Sequence, residues 1–138
     1  MSKYVIETKN LTKQYGTQKS VANLNIHVQK GRIYGLLGRN GAGKTTTMKM
    51  LLGLTQPTSG EVTIWGKPLQ ANEKKLLPRI GSLIESPGFY PNLTATENLR
   101  IFATLRGVPN RGAIKNALDL VGLPYKDKKL FSQYSLGM

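Results

Sequence analysis

Apolar positions follow two rhythms along this chain, and the change between them divides it. In the first part the apolar runs are short and strand-like. Tyr4 to Thr8 is apolar and β-prone. Val21 to Val28 alternates in part, as a half-buried strand does. Ile33-Tyr34-Gly35-Leu36-Leu37 reads as a buried strand after the turn Lys30-Gly31. Met48, Leu51 and Leu52 then have the i, i+3, i+4 spacing of a helix face, ending near Gly53. Glu61 to Trp65 and Ile80 to Ile84 are further predicted strands, the second broken by Ser86-Pro87-Gly88. Asn72 is placed to cap a short helix through Leu77. From Thr94 the period becomes helical. Thr94 and Glu97 have the spacing of a capping box. Leu99, Phe102, Ala103 and Arg106 share the face that follows, and Gly107-Val108-Pro109 ends it. A second helix is predicted over Arg111 to Val121, with Ile114, Ala117, Leu118 and Val121 on one side.

The chemistry concentrates in one loop between the third predicted strand and the first helix. Gly38-Arg39-Asn40-Gly41-Ala42-Gly43-Lys44-Thr45-Thr46 fits G-x-x-x-x-G-K-[ST] at every fixed position. Glycine lets backbone turn tightly and approach a ligand closely, so successive N–H groups here can form an anion nest. The helix opening at Lys44 adds unpaired N–H groups and a partial positive charge. Lys44 supplies a full charge for the β- and γ-phosphates, Thr45 a hydroxyl suited to the Mg²⁺ shell, and Thr46 a donor to a phosphate oxygen. The strand–loop–helix setting favours a nucleotide site over a glycine turn that merely caps a helix.

Composition narrows the class. The chain has 138 residues, 39% hydrophobic and 20% charged, which suits about one soluble domain. No run approaches the roughly 18 apolar residues of a membrane span. The start, Met1 to Glu7, lacks a signal peptide's apolar segment, so a cytosolic location is expected. With no cysteine, disulfides, thiolate metal sites and cysteine nucleophiles are excluded. Net charge is +13. A nucleic-acid surface and docking beside anionic lipid are two readings of that charge. The basic residues are scattered, pairing only at Lys74-Lys75 and Lys128-Lys129, which favours a solvated basic surface.

Taken in order, several segments resemble one family. They are Leu11 to Gly16, the phosphate loop, Leu52-Gly53-Leu54 through Pro57 to Val62, Gly81 to Glu85, Leu93 to Leu99, and Tyr134 to Met138. Together they are similar to the front half of an ATP-binding subunit of an ATP-binding-cassette (ABC) transporter, over nearly the whole chain. The resemblance implies an α/β fold: a P-loop NTPase core with an antiparallel β subdomain, the start of a helical subdomain and an incomplete sheet. It implies a nucleotide-binding core over 1–85 and a helical subdomain over 86–138, with the remainder of the ATPase domain absent. ATP and Mg²⁺ are the implied cofactors.

The same resemblance assigns roles. Tyr15 matches the aromatic that stacks on adenine, and Val21 lies beside that ring. Gly38, Arg39, Asn40, Gly41, Ala42, Gly43, Lys44, Thr45 and Thr46 hold the phosphates. Glu85 stands where the family usually has glutamine, a residue that reaches Mg²⁺ and the attacking water, and a carboxylate still ligates a hard cation. Lys44 and Glu85 are the implied catalytic residues, Thr45 and Glu85 the metal contacts. Ser135 and Gly137 fall in the signature L-S-G-G-Q, whose hydroxyl and N–H meet the γ-phosphate held by the other subunit of a dimer. Leu136 and Met138 depart from that signature, and leucine would be strained if its position demands positive φ.

Glu85-Ser86-Pro87 and the Tyr134 to Met138 segment are similar to ATPases of the bacitracin and lantibiotic exporter group. The implied function is ATP-driven export of a peptide antibiotic or bacteriocin. The implied partners are a transmembrane permease and a second ATP-binding subunit, with the chain at the inner face of the cell membrane, reaching the membrane only through the permease and binding no nucleic acid directly. The family's water-activating carboxylate and switch histidine lie further on, so the stretch given is expected to be inactive alone. His27 is read as a surface or packing residue. Two alternatives remain open on the residues: a soluble ABC-type ATPase acting on nucleic acid or the ribosome, and a nucleotide-binding fragment without hydrolysis.

Overall fold

The computed structural model describes residues 3–109 and 112–138. It divides into two compact units, Met1–Glu85 and Ser86–Met138. The first unit is built on β1 (Tyr4–Tyr15), β2 (Gln18–Leu24), β3 (His27–Gln29), β4 (Ser59–Ile64) and β5 (Lys67–Pro68). These form one sheet in the order β2-β1-β4-β5, with β3 also on β1, and every pairing is antiparallel. Helices α1 (Lys44–Leu51) and α2 (Leu69–Leu76) complete the unit. One core joins them: Leu11, Val21, Met50, Val62, Ile64, Leu69 and Leu76 are buried together. In β4 the alternation is direct, with Val62 and Ile64 inside and Glu61 outside.

β1 is much longer than the predicted Tyr4 to Thr8 because it serves two partners in turn, β3 first and β2 afterwards. The predicted single strand Val21 to Val28 is correspondingly two strands. Asn23 takes φ 49°, a left-handed value that asparagine tolerates, and the chain steps out of register there. Two buried threonines repair the gap in the ladder. The Thr8 hydroxyl accepts from the Ile26 N–H at 2.9 Å and donates to the Leu24 carbonyl at 2.9 Å. The Thr12 hydroxyl accepts from the Asn23 N–H at 3.0 Å. On the other edge of β1, Gly60 runs so close that a Cβ there would lie 2.4 Å from the Asn10 carbonyl oxygen.

Two predicted strands are not strands among the described residues. Neither Ile33 to Leu37 nor Ile80 to Ile84 forms a strand, and Ile33, Leu37 and Leu83 are exposed. Apolar composition marks a segment able to enter a sheet, but a strand exists only where a neighbour takes its N–H and C=O groups. Between these segments and the core lies an open apolar groove of about 370 Å³, lined in part by Leu36, Leu51, Leu52, Ile64 and Ile80. The helix predicted to start at Asn72 starts instead at Leu69. Asn72 lies inside it, its amide donating to the Pro68 carbonyl at 2.9 Å.

The second unit holds α3 (Ala95–Leu105) and α4 (Ala113–Leu120). The capping box forms: the Thr94 N–H donates to Glu97 Oε2 at 2.8 Å, and the Glu97 N–H donates to Thr94 Oγ1. The Thr94 N–H and, at 3.0 Å, the Thr94 hydroxyl both donate to the Glu97 carboxylate and hold it below its ordinary pKa. Asn98 is buried and binds the preceding loop, accepting from the Tyr90 N–H at 2.7 Å and donating to the Tyr90 carbonyl at 3.0 Å. Phe89 meets Phe102 and Phe131 edge-on, at 5.1 and 5.2 Å between ring centres. The predicted start of the second helix at Arg111 lies outside the described residues. In α4, Ile114 and Leu118 are buried and Ala117 is exposed, as is Val121 just past its end.

Candidate functional site: a phosphate loop at the start of a helix

The loop 38–43 leads into α1 through Gly43, the residue before the helix, at φ 93°. A Cβ at Gly43 would lie 2.3 Å from the Ser20 carbonyl oxygen and 2.9 Å from Val21 Cγ2. The loop backbone therefore rests directly on β2, and only glycine fits there. Gly41 is also left-handed, at φ 83°, but a Cβ there would meet nothing within 4 Å. A turn closes the loop where the Ala42 N–H donates to the Arg39 carbonyl at 3.0 Å. Asn40 lies exposed inside that turn.

The first amides of α1 have no acceptor within the helix. No side chain caps them, and the first turn contains no acidic residue. This helix start therefore keeps its donors and its dipole for an external anion. Lys44 folds back over the loop, its Nζ donating to the Gly38 and Arg39 carbonyls at 2.5 and 2.8 Å. Thr45 is exposed and Thr46 half-buried. Thr47 is buried, and both its N–H and its hydroxyl donate to the Gly43 carbonyl, at 2.9 and 2.8 Å. Nothing in the motif's pattern singles out Thr47, yet it ties the helix start to the loop from beneath.

The remaining predicted residues are placed as follows. Val21 is buried under Gly43, in the core. Tyr15 ends β1 and is 53% exposed, with the Lys13 ammonium 5.1 Å from its ring centre. An exposed aromatic ring at a strand end is a surface for stacking. Glu85 takes φ 63°, and its carboxylate lies 3.5 Å from Lys49 Nζ on α1. Ser135 and Gly137 belong to the second unit, exposed in a turn where the Met138 N–H donates to the Ser135 carbonyl at 3.1 Å. Leu136 is exposed and is not left-handed, so leucine is unstrained there. His27 is exposed on β3, its ring edge-on to Tyr4 at 5.1 Å.

This donor set suits a triphosphate nucleotide. The groups on offer are the backbone N–H of a helix start that no side chain caps, on a loop seated against β2 at Gly43, with one lysine folded over it. It also suits Mg²⁺, which takes few protein ligands and keeps water and phosphate oxygens. Among the described residues no three His, Cys, Asp or Glu side chains cluster as a self-sufficient metal site. A Thr45 hydroxyl and a Glu85 carboxylate are ligands of the right hardness. No helix among the described residues is long and apolar enough to cross a membrane.

Comparison with known proteins agrees with this geometry. The chain is 57% identical over 134 residues to the bacitracin transport ATP-binding protein BcrA of Bacillus licheniformis, covering 97% of this chain and 44% of that protein. It is 40% identical over 134 residues to the lantibiotic transport ATP-binding protein SrtF of Streptococcus pyogenes, covering 97% of this chain and 57% of that one. The chain thus spans about half the length of the curated relatives it matches. Among solved structures, the ATP-binding subunit of an ABC transporter superposes with a TM-score of 0.80 at 28% identity, over 96% of this chain and 57% of that one. The fold is accordingly that of an ABC ATPase domain, α/β with an open antiparallel sheet. The ABC transporter family pattern matches residues 21–138, and the chain belongs to that family.

Proposed function

We propose that this chain forms the nucleotide-binding part of an ATP-binding subunit that powers an ABC exporter of the bacitracin and lantibiotic type. One observation carries the reading: a glycine loop packed on β2 delivers an uncapped helix start, with Lys44 folded over it. The relatives named above supply the exporter type, since BcrA and SrtF are described as bacitracin and lantibiotic transport proteins.

In this reading the residues 38–46 hold the phosphates and Tyr15 stacks on the base. Lys44 leaves the Gly38 and Arg39 carbonyls for the β- and γ-phosphates, so its ammonium is hydrogen-bonded before and after. Val21 acts from below, holding Gly43 in place. Thr45 and Glu85 hold Mg²⁺, which when bound offsets phosphate charge. Ser135 and Gly137 serve the γ-phosphate of a second, identical subunit. Phosphoryl transfer to water also needs a group that orients the water. The residues assigned here form the cradle and its metal contacts, so binding rather than turnover is what this stretch provides by itself. Residues 33–37 and 80–84 are the apolar edges on which further strands of the same domain pair.

The partners in this reading are a transmembrane permease and a second copy of the subunit, at the inner face of the membrane. Titration with Mg-ATP, alongside a Lys44→Ala variant, tests the site. Saturable binding that is lost with Lys44 supports it, and equal affinities refute it. A nucleic-acid titration over a salt series tests the partner class, since phosphate contacts would give a steep salt slope.

A further inference from the structure

The phosphate-loop assignment leaves one contact without a role. Glu85, the last residue of the first unit, is ion-paired to Lys49 at 3.5 Å, with side chains 68% and 42% exposed. Two features make this more than a chance surface pair. Glu85 holds φ 63°, a region sparsely populated by a residue that is neither glycine nor asparagine. Backbone of that kind clusters where a side chain must be aimed. Lys49 also lies four residues after Thr45 on α1, so the two share one helix face, about 6 Å apart along the axis. The carboxylate is therefore held by a side chain rooted about one turn below Thr45 on the same helix face.

We propose that Lys49 is a positioning residue for the nucleotide site, holding and neutralising the Glu85 carboxylate until a divalent cation draws it up the helix face toward Thr45. The inference rests on the proposed nucleotide site and adds a residue to it. The physical need is plain. A carboxylate beside a triphosphate repels it whenever no cation lies between them. An ammonium on the same face cancels that repulsion. Lys49 has a simpler structural role too, since a basic side chain in the last turn complements the helix dipole. That role would not depend on what stands at position 85.

The test is a double-mutant cycle in the full chain, with Lys49→Gln, Glu85→Gln, the double variant and Lys49→Arg. ATP affinity is measured twice, in EDTA and across a Mg²⁺ series, with binding as the readout. Lys49→Gln is expected to weaken metal-free ATP about threefold more beside Glu85 than beside glutamine, a coupling within the range of exposed pairs. It should also lower the Mg²⁺ concentration that half-saturates ATP binding, only where Glu85 is present, because the carboxylate is then free to reach the cation. Lys49→Arg should behave like the unaltered chain. Equal shifts in both backgrounds, or none, overturn the role of Lys49 while leaving the nucleotide site standing. Failure of the unaltered chain to bind ATP at all overturns both.

Discussion

Replacing Gly43 with alanine separates two costs that a glycine-rich loop usually confounds. The first cost is backbone strain. Gly43 sits at φ 93°, and holding a residue with a Cβ in such a region costs about 1–3 kcal/mol. The second is collision. The new Cβ would lie 2.3 Å from the Ser20 carbonyl oxygen and 2.9 Å from Val21 Cγ2. Neither neighbour yields easily, because one is backbone inside β2 and the other is buried core. Forcing a methyl into packed structure costs roughly 1–3 kcal/mol more. Gly41→Ala is the control. It has a similar φ of 83°, but open space around the missing Cβ, so only the strain remains. Denaturant unfolding of both variants, followed by a probe in the first unit, should place Gly43→Ala below Gly41→Ala by about 1–3 kcal/mol. Equal stabilities would mean that the loop does not rest on β2 as described, and the account of the cradle would fail with it.

Other outcomes follow from the same contacts. Thr47→Val removes the hydroxyl bond to the Gly43 carbonyl from a buried position and should cost about 1–2 kcal/mol in denaturant unfolding. Tyr15→Ala should weaken ATP by about 1–3 kcal/mol, from lost base stacking, and leave tripolyphosphate binding unchanged in a parallel titration. Thr94→Ala should destabilise α3 by about 1 kcal/mol, read as earlier unfolding of the second unit. Glu97 carries a pH signature as well. Its folded pKa is depressed by the Thr94 bonds, so its contribution is present above the unfolded carboxylate value and is lost as pH falls through the folded one. Glu97→Gln should therefore flatten the acid side of the stability profile.

How far the sequence could be read depended on whether the information was local. The glycine loop that opens α1 and the Thr94–Glu97 cap were legible because each is a short pattern whose residues bond to one another. Ile33 to Leu37 and Ile80 to Ile84 were misread as strands because composition says what a segment prefers, whereas pairing depends on a neighbour elsewhere in the chain. The split of Val21 to Val28 at Asn25-Ile26 was hidden for a related reason. It depends on Thr8 and Thr12, whose hydroxyls replace ladder bonds across 16 and 11 residues of sequence. Asn72 misled because a good cap residue is only a cap if the helix begins after it, and Leu69 is the residue that the core buries. At the site, Thr47 and Lys49 escaped notice. One acts from beneath the motif, and the other pairs with Glu85, which lies 36 positions away in sequence.

The central claim is that residues 38–46 bind the phosphates of a nucleotide through Lys44 and the start of α1. Calorimetric titration of Mg-ATP into the unaltered chain and into Lys44→Ala tests it most directly. Saturable binding, severely weakened or abolished in the variant, is the predicted result. No binding, or an affinity unchanged by the loss of Lys44, would contradict it.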